Sequence, residues 1–150
     1  MVAVGLPALI LLLGDGADPG WGLPPVAAGA VIALGGALVA AGAALWLWTV
    51  RLFARVGEGT LAPWDPTRRM VAVGPYERVR NPMISGVFAV LVGEALLFGS
   101  EAIAVLAAAF LVINHLYFVA VEEPGLERRF GAAYRDYRAQ VPRWIPSPRR

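Results

Sequence analysis

The chain has 150 residues, of which 58% are hydrophobic and only 16% charged, with a formal net charge of +2. That length suits one compact domain, the composition excludes an acidic or disordered chain, and the absence of cysteine excludes disulfides and leaves the redox compartment unread. Every one of the 13 basic residues is arginine. Their grouping, described below, is explained by membrane orientation and anionic lipid, so the small positive balance does not imply a nucleic-acid partner.

The first apolar segment, 2–13, is about 18 Å long as a helix at ~1.5 Å per residue and contains Pro7. It reads as a short span, a re-entrant piece or a signal sequence, and the lack of a basic residue before it argues against the last. Residues 26–50 carry no charge, enough for a bilayer core that takes roughly 20 apolar residues. This second segment is rich in small residues: Gly29, Ala33, Ala37, Ala40 and Ala44 recur every three or four positions. Small residues let membrane helices approach closely, so it is expected to be a packing helix. Trp46 and Trp48, followed by Arg51, mark an interface.

A connection of thirty residues follows, 51–80, punctuated by glycine and proline but also holding Trp64, Met70, Val71 and Tyr76. Such a length is too great for a plain connector, and it is expected to cover something on one membrane face. The third span is 82–99, apolar except for Glu94, and the fourth is 101–122. Gly99 and Ser100 must make a tight hairpin between them. That brings the start of the third span, Arg80, Asn81 and Pro82, beside Glu122 and Glu123 at the end of the fourth.

Six arginines lie between the second and third segments and seven follow the fourth, whereas the turns at 14–25 and 99–101 have none. The positive-inside rule therefore places both termini and the long connection on the cytoplasmic side. Beyond Pro124, Leu126, Phe130, Tyr134, Tyr137 and Val141 recur at spacings of four, four, three and four, predicting an amphipathic helix over 124–141 along the cytoplasmic surface. The fold expected is all-α: a polytopic bundle of about four transmembrane helices with a cytoplasmic C-terminal amphipathic helix, one domain over 1–150.

Asn81 before Pro82 is a stable helix start in its own right, and the same geometry offers free N–H groups to an anion, with Arg80 as a further donor for a carboxylate. Glu122 and Glu123 end a helix where the dipole disfavours negative charge. They either pair with Arg80 or Arg128, cap the helix beginning at Pro124, or hold a ligand's ammonium, ribose hydroxyls or cationic sulfur. His115 and Asn114, seven and eight residues before Glu122, are expected on its face roughly 10 to 12 Å deeper; a satisfied core histidine is the plainer account. One histidine and no cysteine supply no usual metal site, and neither a serine triad nor a phosphate loop is present.

Three stretches, GTLAPWDPTRRMVAVGPYERVRNPMISG (59–86), NHLYFVAVEEPGLERRFGAAYRDYRAQVPRWIP (114–146) and the hairpin between them, resemble the isoprenylcysteine carboxyl methyltransferase and phospholipid methyltransferase superfamily of integral membrane enzymes. The ordered series GPY, RNPM, EE, FG, YxxY and VPR carries the likeness, over about residues 50–146. The resemblance implies a cytoplasmic site for S-adenosylmethionine, with S-adenosylhomocysteine as product. By matching position, Arg80, Asn81, Pro82, Glu122 and Glu123 would bind the cofactor, with Tyr76, Gly86, His115, Leu126, Phe130 and Tyr134 as pocket members. Arg80, Glu123 and His115 are the candidate catalytic residues. Ile84, Ser85 and Glu77 depart from the superfamily's usual pattern and leave the acceptor open: a lipophilic carboxylate, amine or thiol. A small proton-coupled exporter using Glu94, and a non-enzymatic membrane scaffold, are the competing functions. A bacterial inner membrane is the expected location, with the bilayer and a lipid or lipophilic substrate as partners; oligomeric state is not legible.

Overall fold

The computed structural model describes residues 2–14, 17–56 and 70–146. Among these the structure is helical throughout, without strands: α1 (Val2–Leu12), α2 (Pro25–Val56), a 3-10 turn (Gly74–Glu77), α3 (Pro82–Phe98), α4 (Glu101–Tyr117), a π-helical stretch (Phe118–Glu122), α5 (Glu123–Phe130) and α6 (Ala132–Gln140). Two continuous helices, Pro25–Val56 and Glu101–Phe130, are long and apolar enough to cross a membrane. In their most apolar stretches only 11% and 17% of residues are buried. Such exposure does not suit the core helix of a water-soluble protein, whose apolar residues must leave water. α1 and α3 are apolar but shorter.

Helix boundaries differ from expectation in three places. α2 continues through Arg51–Val56, since LFARV offers no breaker. Most of the remaining connection, 57–69, lies outside the described residues. The helix expected to begin afresh at Pro124 is instead a continuation of α4. Proline lacks an N–H and its ring crowds the carbonyl four residues earlier, here Ala120; the π-helical stretch around Ala120 widens the turn and lets the helix pass through. Finally, the expected helix 124–141 is divided at Gly131, whose φ of 55° separates α5 from α6; glycine adopts that conformation without a Cβ penalty.

The chain forms two compact parts, to each of which α2, α3 and α4 contribute a stretch: 1–44 with 86–113, and 45–85 with 114–150. In the first, Leu91 and Ile103 are fully buried, with Ala95 and Ala107 beside them in the core. α3 and α4 form the expected hairpin: Gly99 turns with φ 59°, and Ser100 Oγ accepts the Ile103 N–H at 3.3 Å, an N-cap for α4. A Cβ on Gly42 would stand 2.5 Å from the Gly86 carbonyl, so α2 and α3 meet backbone to backbone at this glycine.

In the second part the buried apolar residues are Val71, Tyr76, Val79, Phe118, Tyr134 and Val141. They come from the segment before α3, the π-helical stretch, α6 and the strap after it, and they frame the site described next.

Candidate functional site

The walls are set by local rules. Gly74, at φ 61°, lies against Trp48 and Leu52, where a Cβ would be 3.3 Å from the leucine methyl. Pro75 then opens the 3-10 turn, and Tyr76 is buried, with its ring edge-on to Phe53 at 5.5 Å. The Tyr137 hydroxyl donates to the Tyr76 carbonyl at 2.7 Å, tying α6 to this turn. The Arg80 N–H donates to the Pro142 carbonyl at 2.9 Å. Asn81 and Pro82 begin α3, with the Ser85 hydroxyl returning to the Asn81 carbonyl at 3.0 Å.

Arg80 and Glu123 meet as the hairpin logic requires: Arg80 Nη1 donates to Glu123 Oε1 at 2.9 Å. A second arginine completes the arrangement. Arg143 donates through Nε to Oε1 at 2.7 Å and through Nη2 to Oε2 at 3.0 Å, a bidentate fork on a carboxylate that is 10% exposed. The bond to Glu123 raises the Arg143 pKa. Both oxygens of this buried carboxylate are thus bonded, filling three of its roughly four acceptor positions. Glu123 therefore has the structural ion pairing foreseen as one of its readings, and it does not line the cavity.

Glu122 is different. It has no hydrogen-bond or ion-pair partner among the described residues, and its side chain caps nothing. It lines a cavity of about 620 Å³ together with Arg80, Asn81, Tyr76, Tyr134 and Tyr137, and with apolar Phe53, Met70, Met83, Phe118, Leu126 and Phe130. The volume suits a small-molecule ligand. Two buried donors here, Arg80 Nε and Asn81 Nδ2, lack an acceptor among the described residues. Orphaned buried donors are costly and rare, so each calls for a partner. Burial raises the pKa of Tyr76, an effect increased by Tyr137 and Glu122 nearby. Tyr137 and Tyr134 are likewise pushed up by burial, partly opposed at Tyr134 by a hydrogen bond with Arg80 and at Tyr137 by the Arg80 charge, so all three phenols stay protonated.

Of the residues singled out from sequence, Tyr76, Arg80, Asn81, Glu122, Leu126, Phe130 and Tyr134 line this cavity. Pro82, Gly86, His115 and Glu123 do not. Pro82 is fully buried at the head of α3. Gly86 packs against Gly42. His115 Nδ1 accepts the Trp144 indole N–H at 3.1 Å, which makes it the partnered histidine rather than the cavity residue. Arg143 was passed over as a site residue; its signal lay in VPR, quoted only for its likeness. Tyr137 was seen only as part of an apolar face. Glu94 belongs to the other compact part and one of its oxygens is buried without a partner.

The carboxylate at Glu122 and the free donors at Arg80 and Asn81 make a site of mixed charge inside an aromatic cavity, suited to a zwitterion with an apolar body. Comparison with protein families finds a match over residues 30–133 to the model of the phospholipid methyltransferases. No curated protein and no solved structure matches the chain.

Proposed function

Since the chain belongs to the phospholipid methyltransferase family, we propose that it is an S-adenosylmethionine-dependent methyltransferase of the membrane, a single domain over 1–150 that acts on a lipophilic acceptor at the cytoplasmic face. The family makes it a methyltransferase, and with the two apolar helices it marks a membrane protein. The cofactor, the site residues and the topology are our reading. We further take α1, α2, α3 and the long helix of α4 as four spans, with α5 and α6 at the cytoplasmic surface of a bacterial inner membrane.

One observation carries the choice of cofactor: unsatisfied groups of opposite character share one cavity. Arg80 Nε and Asn81 Nδ2 are buried donors without acceptors among the described residues, fit to receive a carboxylate; Glu122, lining the same cavity, is fit to receive an ammonium. The amino-acid end of S-adenosylmethionine has both, and aromatic faces at Phe118, Phe130 and Tyr134 suit its sulfonium and adenine. When bound, the cofactor supplies a methyl group activated by the positive sulfur. Arg80 and Asn81 would hold the carboxylate of the ligand's amino-acid end and Glu122 its ammonium, so the protein's contribution is alignment and exclusion of water. A carboxylate acceptor needs no base, whereas an amine or thiol must lose a proton, a role for which Glu122, engaged with the ammonium, is not free.

Calorimetric titration of the detergent-solubilised protein with S-adenosylmethionine tests the reading. Saturable binding that Glu122→Ala weakens at least tenfold supports it. A wild-type protein that binds no more than the variant defeats it and returns the exporter or scaffold to consideration.

A further inference from the structure

Tyr76, Tyr134 and Tyr137 line the cavity together, and two of their three hydroxyls are committed to the protein. Tyr137 donates to the Tyr76 carbonyl at 2.7 Å, and Tyr134 is hydrogen-bonded with Arg80. The Tyr76 hydroxyl has no bond of its own among the described residues, although the residue is only 6% exposed. Buried phenols ordinarily find a partner. Glu122, the unpaired carboxylate of the same cavity, is near enough for its charge to act on this phenol, yet no hydrogen bond joins the two.

We propose that the Tyr76 hydroxyl and the Glu122 carboxylate form a two-sided ammonium site: Glu122 supplies the charge, and the Tyr76 oxygen accepts a second N–H of the same group. The inference rests on the functional reading above for the identity of the ligand, the amino-acid end of S-adenosylmethionine, and adds to it a residue that touches the ammonium. The ammonium site as such does not depend on that reading.

The chemistry of the pair selects its ligand. A carboxylate or phosphate brought between them is repelled by Glu122. A group that satisfies both must donate twice, and among such groups an ammonium also carries the charge that complements a carboxylate. Burial, with Tyr137 and Glu122 close by, keeps the phenol un-ionised, so its oxygen offers a lone pair without adding a second negative charge. The phenol is also held in place by everything except its hydroxyl. Gly74 and Pro75 set the turn that carries it, Phe53 packs against its ring at 5.5 Å, and Tyr137 pins its main chain. A group fixed in this way loses little freedom on meeting a ligand.

Two readouts on the full chain in detergent test this. The first compares dissociation constants for S-adenosylhomocysteine and for methylthioadenosine, which keeps the adenosine and the thioether but lacks the amino-acid end. Tyr76→Phe preserves the ring and the main-chain carbonyl, and so the contacts that hold the turn. It should raise the first constant roughly 10- to 100-fold and leave the second within about twofold, as one lost bond to a charged group predicts. Equal changes in the two, or none in either, in a protein that binds S-adenosylhomocysteine overturn the inference and leave the functional reading standing. The second readout needs no cofactor. Tyrosine labelled with 13C at the ring carbon that bears the hydroxyl gives four signals, assigned by single replacements with phenylalanine, and propylammonium is titrated in parallel with propionate. Propylammonium moves the Tyr76 signal in the wild-type protein but not in Glu122→Gln, and propionate moves it in neither. A Tyr76 signal indifferent to propylammonium, or shifted equally in Glu122→Gln, overturns the inference. A Tyr76 response that depends on Glu122, in a protein that binds neither nucleoside, supports the ammonium site and overturns the functional reading instead.

Discussion

Gly35 and Gly93 face one another so closely that a Cβ on Gly35 would stand 2.8 Å from the Gly93 carbonyl, and a Cβ on Gly93 2.6 Å from the Gly35 carbonyl. Between membrane helices, where burial from water contributes nothing, this approach of backbones supplies the dispersion contacts that hold α2 to α3. Gly93→Ala must push backbone apart, since Val39 N is also within 2.9 Å, and should destabilise the protein by about 1–3 kcal/mol. Gly36, one residue from Gly35 but with open space where its Cβ would lie, is the control: Gly36→Ala should be neutral or up to about 1 kcal/mol stabilising. Unfolding in mixed micelles compares the two.

The neighbouring glutamates should separate stability from binding. Glu123→Ala leaves the Arg80 and Arg143 charges in a site that is 12% and 25% exposed, and should cost about 3–5 kcal/mol. Glu122→Gln, with no partner to strand among the described residues, should change stability by less than about 0.5 kcal/mol while weakening S-adenosylmethionine binding. Thermal unfolding and calorimetry on the same samples check both halves, and equal losses of stability would contradict the division of labour.

His115 provides a complementary test. Because it lies off the cavity and accepts a bond from Trp144, Trp144→Phe should keep the ring contacts with Phe118 but lose about 1 kcal/mol of stability. His115→Ala should leave S-adenosylmethionine affinity within about twofold, because no contact with the ligand is removed. Loss of binding in a well-folded His115→Ala protein would restore the histidine to the site.

The three raised tyrosines give the protein an alkaline limit. Tyr76, Tyr134 and Tyr137 titrate above the ordinary value of 10.0, so the folded state holds their protons more tightly than the unfolded chain. Their contribution is fully present below pH 10, and stability falls as pH rises beyond it, because the unfolded chain ionises first. Absorbance at the tyrosinate band should lag behind that of the unfolded protein through this range, and Tyr137→Phe, which also lacks the bond to the Tyr76 carbonyl, should lower stability at neutral pH.

The proposed topology can be read directly, since the chain has no cysteine of its own. A cysteine placed at exposed Asp136 should react with a membrane-impermeant maleimide only after cells are opened. One at exposed Leu23 should react in intact cells once the outer envelope is permeabilised. The reverse pattern would turn the proposed orientation over.

Some of this was legible in the chain and some was not, for identifiable reasons. The meeting of Arg80 with Glu123 follows from a two-residue hairpin turn, which forces the far ends of α3 and α4 together whatever else the fold does. The face of Leu126, Phe130, Tyr134 and Tyr137 was also legible, even though Gly131 breaks the helix, because all four side chains still reach one cavity. The depth argument for His115 failed because it assumed uniform α-helical phase from 115 to 122. The π-helical stretch adds a residue to the turn and rotates what lies beyond it. Arg143 was invisible for a different reason: its partner depends on where the strap after α6 returns, and no local propensity encodes that path.

The widened turn at Phe118–Glu122 also sets how the site can change over time. Consecutive residues on a helix differ by roughly 100° in direction, so loss of a single codon within it would spin the distal helix by about that angle. The carboxylate now clamped between guanidinium groups and the one now facing the hollow would both be re-aimed at once. Substitutions can adjust such a site by degrees, whereas length variation in these five positions offers it only discrete settings.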